Sequence, residues 1–169
     1  LWSWLSIFLN YGGFGYLLCY GVLILAFSFF WVANQFNPIQ IADGVTATFD
    51  VDHAGVTTPW IMSGLITGGT EANPVNLVLR ELNLSGGSFN PISLTNSGNS
   101  FKGTLTLESR ARLNWNGQDG IFGAAGNPVA LASRAIIALG GYTLNRNVTG
   151  TGSLTGPGTV AGQLSGTQF

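Results

Sequence analysis

No charged residue occurs before Asp43. Positions Leu1 to Ala42 contain no Asp, Glu, Lys, Arg or His. Within them, Phe14 to Ala33 is a run dominated by Leu, Ile, Val, Phe, Tyr and Trp. About 20 apolar residues rising ~1.5 Å each as a helix match the ~30 Å hydrocarbon core of a bilayer. The run is longer than a signal peptide's apolar stretch and has no basic start. A cleavage site near Ala33 would place Trp31 at the position that needs a small residue. A retained anchor is therefore expected. Gly12, Gly13 and Gly15 interrupt the segment, and a glycine inside a helix costs ~1 kcal/mol. The expectation is a membrane segment over residues 1–36. It comprises an interfacial piece at 2–10, a glycine bend and a spanning helix at about 14–33. Its anchoring residues would be Trp2, Trp4, Phe14, Tyr16, Tyr20, Phe27, Phe30 and Trp31, with the tryptophans at the interfaces. The single cysteine, Cys19, follows Tyr16, Leu17 and Leu18, so it is read as a small apolar helix residue.

After the apolar run no Lys or Arg occurs until Arg80. Cytoplasmic flanks of a spanning helix normally carry such residues within ~15–20 positions. The chain is thus expected to cross once, with its C-terminal part outside the cytoplasm. About 130 residues remain there, enough for one domain with its own core. Charged residues make up only 8% of the whole chain, against ~25% in ordinary soluble proteins. The basic residues Arg80, Lys102, Arg110, Arg112, Arg134 and Arg146 are scattered and form no phosphate-binding stripe. Nucleic acid is not an expected partner.

From Ile39 onward the apolar period becomes two. Val45–Val51, Trp60–Thr67, Val75–Leu84, Phe101–Glu108 and Arg110–Asn116 read as strands, with Val129–Leu139 and Tyr142–Val148 following. Phe101, Gly103, Leu105 and Leu107 should face one way, as should Ala111, Leu113 and Trp115. Turn signals stand at Gly68-Gly69, Gly86-Gly87, Asn96 to Asn99 and Asn116-Gly117. Short strands separated by such turns suggest a mainly β fold, an antiparallel β-sandwich or open barrel spanning 37–148. Residues 149–169 read as a Gly/Thr-rich extended tail, loose or laid along a partner as an added strand.

Chemistry-bearing residues are few. Asp50, Asp52 and His53 form the one local cluster of titratable groups, and two carboxylates with an imidazole are weak candidates for a divalent cation. A polar strand face ending in a turn is the favoured explanation of them. There is no GxSxG elbow, P-loop or dinucleotide fingerprint. Arg110 and Arg112 share one strand face and read as a solvated pair. Asn83-Leu84-Ser85 and Asn147-Val148-Thr149 are glycosylation triplets, suited to an outside location. No catalytic residue and no cofactor is expected.

These features point to a non-enzymatic, membrane-anchored structural or accessory subunit of a larger assembly. Its partners would be the lipid bilayer and other integral membrane subunits or copies of itself. The plan of an N-terminal apolar helix, a non-Met start and a low-charge β domain also resembles that of archaeal pilins over the whole chain. That resemblance implies a filament subunit as the alternative. Leu5 stands where bacterial type IV pilins usually carry glutamate. A viral membrane protein and an anchored metal-binding enzyme are the remaining readings.

Overall fold

The computed structural model describes residues 38–52, 58–82 and 91–166. The chain divides into two compact units, Leu1–Asn37 and Pro38–Phe169. The expected interfacial piece and spanning helix, with all eight anchoring residues from Trp2 to Trp31, lie outside the described residues. Among the described residues no helix is long and apolar enough to cross a membrane.

Among the described residues Pro38–Phe169 is mainly β, and every strand pair is parallel. Fifteen short strands among the described residues run in chain order: β1 (Ile39–Ile41), β2 (Thr46–Val51), β3 (Trp60–Met62), β4 (Ile66–Gly68) and β5 (Val75–Glu81). There follow β6 (Ile92–Leu94), β7 (Gly103–Leu107), β8 (Arg112–Asn114), β9 (Val129–Leu131) and β10 (Ile136–Ala138). The last are β11 (Thr143–Leu144), β12 (Val148–Gly150), β13 (Ser153–Thr155), β14 (Thr159–Val160) and β15 (Leu164–Gly166). One turn of 3-10 helix, Asp119–Phe122, sits between β8 and β9.

Strands adjacent in sequence go to different sheets. One sheet has the order β2-β5-β7-β9-β12-β15, and a second has β3-β6-β8-β10-β13. Two small sheets, β1-β4 and β11-β14, belong to a third side. The backbone continues that side below β4, where Ser100 and Lys102 donate to the Ile66 and Gly68 carbonyls at 3.0 and 2.9 Å. The chain therefore winds as a solenoid, each coil contacting the one before and the one after. A parallel pair needs a crossover of a dozen or more residues. Here the remainder of the coil supplies it.

The coils shorten along the chain. Thr46 pairs with Asn76, Val75 with Gly103, Leu105 with Val129, Val129 with Val148 and Val148 with Leu164. These steps are 30, 28, 24, 19 and 16 residues. Side-chain size in one core column falls in parallel. Phe49, Leu79, Leu107 and Leu131 stack in register, and the next two members are Gly150 and Gly166. Gly150 has φ +111°, and a Cβ there would overlap the Leu131 carbonyl oxygen. Small residues let the last coils close more tightly.

A second column runs Ala47, Leu77, Leu105, Val129, Val148 and Leu164. Its four central members are fully buried. On the facing sheet Ile92, Leu113, Ile137 and Leu154 are stacked likewise. Phe101, Ile121, Phe122 and Trp115 fill the space between sheets. Burial of each large side chain contributes about 1.5–3 kcal/mol. Of the faces expected to point together in Phe101–Glu108 and Arg110–Asn116, Phe101, Leu105, Leu107, Ala111, Leu113 and Trp115 are buried and Gly103 is half-buried.

The antiparallel sandwich or open barrel is corrected by the pairing. The turn signals at Gly68-Gly69, Asn96 to Asn99 and Asn116-Gly117 mark corners between strands of different sheets rather than hairpins, and Gly86-Gly87 lies outside the described residues. At Ser109-Arg110 the chain bends between β7 and β8, with the Ala111 amide donating to the Glu108 carbonyl at 3.0 Å and Arg110 at φ 68°. Ser133-Arg134 repeats the corner between β9 and β10, with Ala135 donating to Ala132 at 3.0 Å and Arg134 at φ 67°. The expected strand Val129–Leu139 is therefore two strands on two sheets, and Trp60–Thr67 divides in the same way. Residues 149–166, expected as a tail, carry the end of β12 and β13 to β15 and continue the stack.

Candidate functional site

Several charged and amide side chains among the described residues join one coil to the next. On the outer face of the six-stranded sheet, Arg80 lies opposite Asp50 in register. Its Nε and Nη2 donate to the two Asp50 carboxylate oxygens at 2.7 and 2.8 Å. Glu108 on the other side approaches Arg80 Nε at 3.9 Å. The hydrogen bond from Arg80, aided by its positive charge, holds the Asp50 carboxyl below its ordinary value and raises the guanidinium's own. Beside this ladder, Thr106 Oγ1 donates to Asn76 Oδ1 at 2.7 Å.

The buried polar residues act similarly. Asn99 accepts from the Ile66 amide at 2.9 Å and donates to the Ile121 carbonyl at 3.2 Å. Asn127 accepts from the Gly103 amide at 3.0 Å and donates to the Phe101 and Phe122 carbonyls at 2.8 and 3.0 Å. Arg146 is only 3% exposed. Its Nη1 donates to the Ala124 carbonyl, and its Nη2 to the Asp119 and Gly123 carbonyls at 2.8 and 3.4 Å. Its Nε forms an ion pair with Asp119 Oδ2 at 3.1 Å, off the N–H axis. The guanidinium also lies over the Phe122 ring, 5.8 Å from its centroid. Arg146 thus serves the Asp119, Gly123 and Ala124 carbonyls, while Asn99 and Asn127 serve those of Ile121 and Phe122 between them.

An open groove of about 610 Å³ lies where the β4–β5 turn meets the loop before β9. Thr70, Glu71 and Pro74 line one wall, Lys102 to Thr104 the floor, and Ala124 to Pro128 the other wall. The first turn is closed by Thr70, whose amide donates to the Asn73 carbonyl and whose hydroxyl accepts from the Asn73 amide, both at 3.1 Å. Lys102 Nζ bonds Glu71 Oε1 at 2.8 Å across the groove. That bond, with the lysine's charge, lowers the Glu71 carboxyl below its ordinary value. The groove holds two hydroxyls, one ion pair and backbone edges. These groups can hydrogen-bond a polar ligand.

Two of the three weak metal candidates, Asp50 and Asp52, are among the described residues. Asp50 is engaged by Arg80, Asp52 lies just beyond β2, and His53 lies outside the described residues. Among the described residues no group of three His, Cys, Asp or Glu could hold a metal ion. Asn147, of the second glycosylation triplet, is exposed, and its Oδ1 accepts from the Gln163 amide at 2.9 Å. Asn83, of the first, lies outside the described residues. Arg112 stands on β8 at intermediate burial with its Nε lacking a hydrogen bond. Sequence reasoning missed Asn99, Asn127 and Arg146, because a lone amide or arginine in a loop carries no pattern. No family model, no curated protein and no solved structure matches the chain.

Proposed function

We propose that this chain is a non-catalytic structural subunit, anchored in a membrane by its charge-free N-terminal segment, with the solenoid outside the cytoplasm. Its helix packs within a larger assembly, and the solenoid caps or bridges neighbouring subunits. One observation carries the structural half of this reading. The ion pairs Asp50–Arg80, Glu71–Lys102 and Asp119–Arg146 each link residues about one coil apart. The scarce charge is spent on joining coils, and no active constellation gathers around it. Thr, Ser and Asn recur among the exposed residues, suited to packing against other proteins by hydrogen bonds. The membrane half rests on the 42-residue charge-free opening and its 20-residue apolar run.

The test is purification of the full chain in mild detergent, with its mass and co-purifying proteins measured. A defined complex with other membrane proteins supports the reading. A monomer without partners contradicts it. Filaments in negative-stain micrographs of cell-surface fractions would favour the pilin-like alternative.

A further inference from the structure

The last two coils contain a repeat that periodicity alone did not bring out. Thr143-Leu144-Asn145-Arg146-Asn147-Val148-Thr149-Gly150 is followed 16 positions later by Thr159-Val160-Ala161-Gly162-Gln163-Leu164-Ser165-Gly166. The repeat mates are also the paired residues: Thr143 with Thr159, Leu144 with Val160, Val148 with Leu164, Thr149 with Ser165 and Gly150 with Gly166. The upper copy therefore binds the lower through features both possess. Threonine hydroxyls meet at 2.8 Å between Thr143 and Thr159, an aliphatic residue covers an aliphatic residue, and glycine lies on glycine. Asn147 Oδ1 receives the Gln163 amide, and Gln163 is the amide residue in the equivalent place.

A module that stacks on its own copy presents, on its far side, a surface complementary to another copy. That surface is the edge formed by β13, β14 and β15, which end their sheets. Three core columns terminate on it. Leu164 is 47% exposed, whereas Val148 above it is fully buried. Leu154 and Val160 are only partly covered. Edge strands are commonly blunted by charge or proline. None of these three strands carries either, and residues 147–166 contain no charged side chain at all.

We propose that the C-terminal edge is a docking surface for one further coil. Its occupant is an uncharged 16-residue module of the pattern Thr-aliphatic-x-x-amide-aliphatic-Ser/Thr-Gly, entering parallel to β14 and β15. Strand addition supplies the backbone bonds, and the three aliphatic columns supply selectivity. A second copy of this chain fits less well. Its opposite edge belongs to a coil of 30 residues with a six-residue strand, against 16 and three here. The inference rests on the solenoid alone and is independent of the membrane reading.

The experiment inserts a second copy of residues 151–166 between Gly166 and Thr167 of the full chain. Amide hydrogen exchange is then followed at Leu164 to Gly166. The insert should slow exchange there by about tenfold or more, as edge amides become ladder amides. Leu164→Asp should abolish the gain while leaving protection at Leu105 and Val129 unchanged. A composition-matched scrambled insert should give no gain. Unchanged exchange with the true insert, or equal slowing with the scrambled one, overturns the proposal. So does concentration-dependent protection of the same amides in the unmodified chain, which would make a second copy the occupant.

Discussion

At the scale of single residues, the backbone dictates more than the side chains do. Gly103 has φ +146°, and a Cβ there would overlap the Val75 carbonyl oxygen of the coil above. Because the obstacle is backbone, it cannot swing aside. Gly103→Ala is expected to cost about 2–4 kcal/mol, combining the positive-φ penalty with displacement of a ladder strand. Denaturant unfolding measures it. Gly126→Ala is the informative control: its φ is +86° but nothing lies within 4 Å, so only the conformational penalty of ~1–2 kcal/mol should appear. Arg146 is the polar counterpart. Replacing it with Met leaves three carbonyls without their donor and deprives Asp119 of its partner. Asp119 is 38% exposed and can be rehydrated, so the expected loss is about 2–4 kcal/mol, short of a fully buried broken pair. Lys should rescue little, since an ammonium cannot reproduce the fork.

At the scale of elements, stability resides in columns that cross coils. Leu105 has register mates above and below and is fully buried; Leu164 ends the same column half-exposed. Leu105→Ala is expected to cost about 2–5 kcal/mol. Leu164→Ala should cost less than about 1 kcal/mol, and equal costs in thermal or denaturant unfolding would contradict the column account. The outer Asp50–Arg80 pair contributes differently. The folded-state carboxyl of Asp50 lies below its ordinary value of 3.8. Its contribution is therefore fully present above that value and is lost as pH falls through the lowered one. Between neutrality and the ordinary carboxylate value, Asp50→Asn and the parent should show parallel stability curves. They should converge only at lower pH, and high salt should narrow the gap between them.

The alternation of Phe101–Glu108 and Arg110–Asn116 was legible in the sequence, because a half-buried strand shows period two whichever way its neighbour runs. Strand direction was not legible, because a corner and a hairpin use the same residue types. The difference lay in repetition. Leu105-Thr106-Leu107-Glu108-Ser109-Arg110-Ala111 returns 24 positions later as Val129-Ala130-Leu131-Ala132-Ser133-Arg134-Ala135. A repeat at a fixed step is the mark of stacked coils. The step here shrinks from coil to coil, which hides it from a search at one period. The candidate groove was not legible either, since Glu71, Lys102 and Ala124–Pro128 come from loops of successive coils.

At the scale of the whole molecule, everything rests on coils stacked in parallel. Thr48, Val78, Thr106, Ala130, Thr149 and Ser165 form one outer column, each paired with the next. Neighbouring strands lie ~4.8 Å apart, so Thr48 and Thr149 should be separated by about 19 Å and Thr48 and Ser165 by about 24 Å along the backbone. Spin labels at those positions in a Cys19→Ser background, read by pulsed electron–electron resonance, test this directly. The account expects the two distances to differ by one strand spacing, with Ser165 the farther. Equal distances, or Ser165 nearer to Thr48 than Thr149 is, would contradict the parallel solenoid.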